Sequence, residues 1–180
     1  MHSSRRFHAL DCGPLPIIET SHLAPGTIAC PCDDIGRDLT IRVSYSNHCY
    51  TEGFDPARHD EGQIIVQEHG RSRVFCPIRH SLSFRLPGIV TGLPGQKVHQ
   101  TTQQRNYVYA APLDIEGQVY EVYFMVQRAE TVPGVDLRMT IESAYPVGTP
   151  NLRRKRPSTI RFKILASKVF RREQVRFAPR

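Results

Sequence analysis

Val119-Tyr-Glu-Val-Tyr-Phe-Met-Val126 is apolar on nearly both faces of an extended chain, the pattern of a central strand covered on each side. It stands between two further β-rich runs, Tyr107 to Ile115 and Val135 to Ile141. In the third run Val135, Leu137, Met139 and Ile141 face one way, while Asp136, Arg138, Thr140 and Glu142 face the other. The separators are short, Glu116-Gly117 and Ala129 to Gly134, which favours antiparallel neighbours and hence a β-meander. Upstream, Leu39-Thr-Ile-Arg-Val-Ser-Tyr45 alternates strictly and reads as a half-buried strand, with Leu39, Ile41, Val43 and Tyr45 inward. The expected class is α+β, an antiparallel meander with one or two short helices packed on one side.

The remaining segments are assigned outward from these strands. Residues 1–38, punctuated by Gly13, Pro14, Pro16, Pro25, Gly26, Pro31 and Gly36, read as an irregular N-terminal lead-in. Residues 39–150 form the β-rich body. Within it Asn47 to Pro56 is a turn, and Ile64 to Val66 pairs with Arg71 to Phe75. Ser81 or Ser83 caps a short helix toward Leu93, provided Pro87 lies in its first turn, and residues 94–104 are an exposed loop. Residues 151–180 are a basic segment packed on the same domain, with a helix from Ile160 to Phe170 capped by Ser158.

The chain has 180 residues and a formal net charge of +7, unevenly distributed. Residues 151–180 hold 11 basic side chains and one acidic, against 13 and 16 in residues 1–150, so the tail carries +10 and the body −3. With 39% hydrophobic and 23% charged residues the chain is of folding composition, and 180 residues suffice for one core. No apolar run reaches the ~20 residues of a membrane helix, and Met1-His-Ser-Ser-Arg-Arg-Phe-His8 is not followed by an apolar signal core. The expectation is a soluble, cytoplasmic protein with no membrane partner. Five cysteines are too few for a secreted disulfide framework and point to free thiols.

Four constellations are candidates for function. Cys30, Cys32, Cys49, Cys76 and His80 are potential zinc ligands, but Cys30-Pro-Cys32 has one intervening residue where zinc sites use two to four. Buried thiols are the plainer reading. His48 and Glu52, four apart after a strand, form a candidate acid–base pair. Arg105, Arg138, Glu142, Ser143 and Tyr145 carry the groups that metal-free RNA cleavage needs, a base, a phosphate ligand and a proton source. A solvated sheet face with cross-strand ion pairs has the same pattern. The strongest signal is the tail: Arg153, Arg154, Lys155, Arg156, Arg161, Lys163, Lys168, Arg171 and Arg172 lie among Phe162, Phe170 and Phe177, a composition suited to phosphates and also to an acidic patch on the body.

Arg105-Asn-Tyr-Val-Tyr109, Tyr120-Glu-Val-Tyr-Phe124, Leu137-Arg-Met-Thr-Ile-Glu-Ser-Ala-Tyr-Pro146 and Ile160-Arg-Phe-Lys-Ile-Leu165 together resemble small prophage-associated proteins related to the barnase, EndoU, colicin and RelE-like ribonucleases. The resemblance spans roughly residues 105–165. It implies an antiparallel sheet with helices on one side, RNA cleavage without metal or other cofactor, and an inhibitory protein partner. The leading expectation is a nucleic-acid-directed protein of a bacterial or phage conflict system, with RNA or another polyanion as partner and a ribonuclease-like toxin activity. The alternatives are a non-enzymatic phage or mobile-element protein that binds a host protein or nucleoprotein, and a small zinc-binding module.

Overall fold

The meander forms as expected: β7 (Asn106–Pro112), β8 (Val119–Arg128) and β9 (Leu137–Val147) are successive antiparallel neighbours. The computed structural model describes residues 17–68, 70–101, 106–113, 118–148 and 159–175. Arg105, the 116–117 turn, Ser158 and the run Arg153 to Arg156 lie outside the described residues. The architecture is α+β. A seven-stranded sheet runs β1-β2-β9-β8-β7-β6-β10, with β1 Gly26–Cys32, β2 Arg37–Tyr45, β6 Lys97–Gln100 and β10 Thr159–Arg161. The pairing of β2 with β9 is parallel and every other pairing in this sheet is antiparallel. A smaller antiparallel sheet, β3-β5-β4, comprises β3 Thr51–Gly53, β4 Ile64–Glu68 and β5 Arg71–Phe75. The β4–β5 turn uses Gly70 at φ +74°, a left-handed conformation that glycine adopts without steric cost.

One face of the large sheet is the core. Leu39, Ile41 and Val43 of β2 are buried as their alternation requires, together with Leu137, Met139 and Ile141 of β9. They pack with Leu86 and Val90 of α2 (Leu86–Gly92) and with Phe162, Leu165 and Ala166 of α3 (Phe162–Phe170). Pro87 does sit in the first turn of α2, where its missing N–H is harmless. Among the described residues no helix is long and apolar enough to cross a membrane.

Five sequence expectations are corrected. The lead-in is not irregular throughout, because Gly26 to Cys32 forms β1 on β2, with Pro31 tolerated on the edge strand. Residues 94–104 are not simply a loop: Lys97 to Gln100 is a strand, and its one strongly apolar residue, Val98, is fully buried. The short helix before Leu93 is two helices, since α1 spans Pro77–Ser83, and neither Ser81 nor Ser83 is an N-cap. The C-terminal helix starts at Phe162 with Arg161 as N-cap. Ile160 pairs with Val98 in the sheet, and Ile164 is 42% exposed. Finally, β8 is central without being covered on both faces. Tyr120, Val122, Phe124 and Val126 are buried, whereas Val119, Glu121, Tyr123 and Met125 are half-buried.

Tyr120 has no exposed surface, and its hydroxyl has no hydrogen-bond partner among the described residues. A buried unpaired hydroxyl costs about 1–3 kcal/mol. Tyr120→Phe is therefore expected to raise stability by about 1 kcal/mol, read as a higher urea midpoint at unchanged slope. A loss of stability would reveal a partner for the hydroxyl.

The turn Ser21–Leu23 straps across α1. Ser83 Oγ donates to the His80 carbonyl (2.6 Å), so the His22 Nε2–H donates to Ser83 Oγ (2.7 Å). His22 Nδ1 is then bare, and it is buried without a partner. The ring stacks on Phe84 at 3.8 Å. Burial, reinforced by the charge of His80, holds His22 below its ordinary value of 6.5. The unfolded chain accepts the proton at about 6.5 and the folded chain resists it, so this contribution is complete above that pH and falls as pH drops below it. The melting temperature should be lower at pH 5 than at pH 7.5, with a smaller difference in His22→Gln. An equal difference in the variant would clear His22 of the effect.

Candidate functional site

The face of the large sheet opposite α2 and α3 carries a polar lattice set by register. Arg42 of β2 lies beside Arg138 of β9, which lies beside Gln127 of β8. Ser44, Thr140 and Met125 form the next row. These six side chains line a shallow groove of about 210 Å³. Neighbouring strands are about 4.8 Å apart, so the two guanidinium groups share one small area, and like charges placed side by side are destabilising. Among the described residues neither arginine is in an ion pair with a carboxylate. Ser44 Oγ and Thr140 Oγ1 lie 3.4 Å apart beneath them. Two planar five-donor forks with adjacent hydroxyls suit an oxyanion of phosphate type.

A β-bulge extends this face. Tyr123 pairs with Ser143 and Phe124 with Ile141, which leaves Glu142 as the extra residue of β9. The inward phase changes from Leu137, Met139 and Ile141 to Ala144. Ser143 and Tyr145 consequently share the outer face with Arg138 and Thr140, although strict alternation sets them on the opposite one. Glu142, which alternation grouped with Arg138, is at the bulge itself, where its carbonyl accepts from Ser46 Oγ (2.5 Å). Tyr145 stacks on Tyr123 at 5.4 Å, and the Arg79 guanidinium lies 5.0 Å over the Tyr145 ring. Tyr123 donates to Glu121 (2.5 Å), and burial, then that bond, pushes its hydroxyl pKa upward.

Of the described candidate cleavage residues, Glu142 and Tyr145 lie beside the turn that carries His48, and Arg138 stands apart from them. Seven positions of extended strand separate Arg138 from Tyr145, on the order of 20 Å between their Cα atoms. His48 lies in the turn Asn47–Cys49, where its carbonyl accepts from Arg79 (3.1 Å). The expected His48–Glu52 pair is corrected: the Glu52 carboxylate lies 3.7 Å from both Arg58 and His59 Nε2. Burial foremost, then the charges of Arg73, Arg79 and Arg71 against an opposing Glu68, hold His48 below the usual imidazole range.

The four described thiols are packing groups. Cys30 and Cys32 are buried on β1 with their sulfurs 3.9 Å apart, and burial pushes Cys30 up to about 12. Cys49 is buried against the Ile141 carbonyl and is likewise pushed up to about 12 by burial. Cys76 is the N-cap of α1, while the His80 ring turns away to the Glu19 carbonyl (2.7 Å). Among the described residues no group of three or more His, Cys, Asp or Glu side chains is placed to hold a metal ion.

Much of the described basic tail faces acids of the body. Lys163 pairs with Asp33 (2.8 Å), Arg171 with Asp34 (3.5 Å) and Arg172 with Glu130 (3.1 Å), while Lys168 meets Glu173 (3.3 Å). Ser167 adds a hydrogen bond to Asp34 (2.5 Å). Of the tail aromatics, Phe162 is core, and Phe170 lies between Arg37 and Arg128 at 5.5 and 5.1 Å. Arg161 is exposed on β10. Arg42 and Ser44 were visible in the sequence only as the polar side of an alternating run, and Gln127 only as the residue after the apolar run Val119 to Val126, because nothing local encodes the parallel pairing of β2 with β9.

Residues 16–170 match the family model described as the YjaZ family. No curated protein and no solved structure matches the chain.

Proposed function

We propose that the chain, which belongs to the YjaZ family, is an RNA-directed protein that binds a single strand along the open face of its large sheet. The observation that carries this reading is the in-register Arg42–Arg138 pair in its groove, without carboxylate partners among the described residues. The same face continues to the Tyr123–Tyr145 stack, a surface of the kind on which bases stack. Backbone phosphates engage the arginines and a base engages the tyrosine edge, a track on the order of four nucleotides. Strand cleavage is not part of the reading, because Arg138 lies on the order of 20 Å along β9 from Tyr145, too far to act on the same phosphate as Tyr145 or as His48 on its turn.

The test is anisotropy of a labelled uridine-rich RNA in EDTA, with the RNA recovered on a gel afterwards. Salt-sensitive binding with intact RNA is the expected result. Absence of binding at low salt removes the proposal. Cleavage that disappears in Arg138→Ala or Glu142→Ala would replace it with the ribonuclease reading.

A further inference from the structure

We propose that His48, Arg73 and Arg79 form a second anion site, separate from the groove, that takes a phosphate monoester dianion. Three elements meet there. The turn Asn47–Cys49 supplies His48, β5 supplies Arg73, and α1 supplies Arg79. Both guanidinium groups are fixed by neutral acceptors. Arg73 donates through Nε to Thr51 Oγ1 (2.7 Å) and through Nη2 to the Thr51 carbonyl (2.9 Å). Thr51 is fully buried and donates in turn to the Asn47 carbonyl (2.8 Å). Arg79 donates through Nη1 to the His48 carbonyl and lies over the Tyr145 ring.

A guanidinium has five N–H donors, so each arginine keeps unspent donors after these bonds. The His48 ring nitrogens have no hydrogen-bond partner among the described residues, and the ring is half-buried. Arg71 of β5 adds a further positive charge, while the opposing carboxylates are Glu68 of β4, which already accepts from Asn47 Nδ2 (3.1 Å), and Glu52 of β3, which lies 3.7 Å from both Arg58 and His59. Burial, then the charge of Arg79, lowers the pKa of Arg73, and the same positive field bears on His48. A dianion with three acceptor oxygens relieves that accumulation and fills the free donors. The source is either free phosphate or the terminal phosphate of a strand whose first base reaches the Tyr145 stack. Only the second source rests on the RNA reading above.

The experiment is an NMR titration of His48 in the full chain with inorganic phosphate, at ionic strength held constant with chloride. His48 resonances should shift saturably with phosphate, and a bound dianion should raise the pH at which the ring titrates. Arg79→Gln should weaken phosphate binding about tenfold. Arg42→Gln, in the groove, should leave the phosphate shift intact, which separates this site from the RNA reading. No response of His48 beyond that to chloride overturns the proposal, as does a response unchanged in Arg79→Gln. Tighter binding of a 5'-phosphorylated than of a 5'-hydroxyl trinucleotide assigns the site to strand ends. Equal binding of the two, with the phosphate response present, assigns it to free phosphate.

Discussion

Deleting residues 151–180 is expected to yield an unfolded chain instead of a folded body stripped of its positive charge. Phe162, Leu165 and Ala166 of α3 have no exposed surface, and Phe162 packs on Phe124 of β8 with ring centroids 5.9 Å apart. The deletion also removes β10, exposing the edge of β6 and uncovering Val98. Emptying one such aromatic site by Phe162→Ala costs about 3–5 kcal/mol. Stabilities of whole domains are about 5–15 kcal/mol, so losing the entire helix exceeds what the fold can spare. Urea denaturation followed by circular dichroism should show a cooperative transition at a much lower midpoint for Phe162→Ala and none for the shortened chain. A shortened chain that melts cooperatively near the full-length temperature would refute the packing role of α3. Truncation therefore cannot isolate the contribution of the tail to polyanion binding. Point substitutions are needed.

The second large effect is on binding. Arg42→Gln with Arg138→Gln should lower affinity for single-stranded RNA about 100-fold at 0.1 M salt, since each charge-assisted contact is worth about 1.5 kcal/mol. Removing two phosphate contacts should also flatten the dependence of log affinity on log salt by about 1.4. Stability should hold or rise, because two like charges in register are relieved. Lys163→Gln with Lys168→Gln is the control: both lysines are paired with carboxylates, and affinity should stay within about threefold. If the lysine variant loses binding and the arginine variant does not, the interface lies on α3 and the open sheet face is not the binding surface.

The +10 tail also changes meaning in three dimensions. Asp33, Asp34 and Glu130 come from the body, whose balance of −3 supplies the acidic patch that was one of the two partners suited to the tail. Exposed pairs of this kind contribute at most about 1 kcal/mol each, so α3 is held chiefly by its buried face. Charge complementarity matches the helix to its dock, and apolar burial keeps it there.

Periodicity made the meander, the strand at Leu39 to Tyr45 and the β4–β5 hairpin legible, because a side chain's inward or outward direction repeats every two residues and needs no distant partner. Weak local signals failed. Val98 gives Lys97 to Gln100 a single strongly apolar anchor, and that segment becomes a strand only because β7 and β10 flank it. Glu142 gives no local sign of the bulge that brings Ser143 and Tyr145 round to the face of Arg138. The sequence by itself determined the α+β class, the inward faces of the main strands and the separation of acidic body from basic tail. Only the tertiary structure decided which charges are neutralised and which stand together: Lys163 and Arg171 find acids on the β1–β2 turn, while Arg42 meets Arg138 across a parallel pairing almost a hundred residues apart in the chain. The physical reason is that burial follows from local alternation, whereas electrostatic and hydrogen-bonding partners depend on separations that only the folded chain sets.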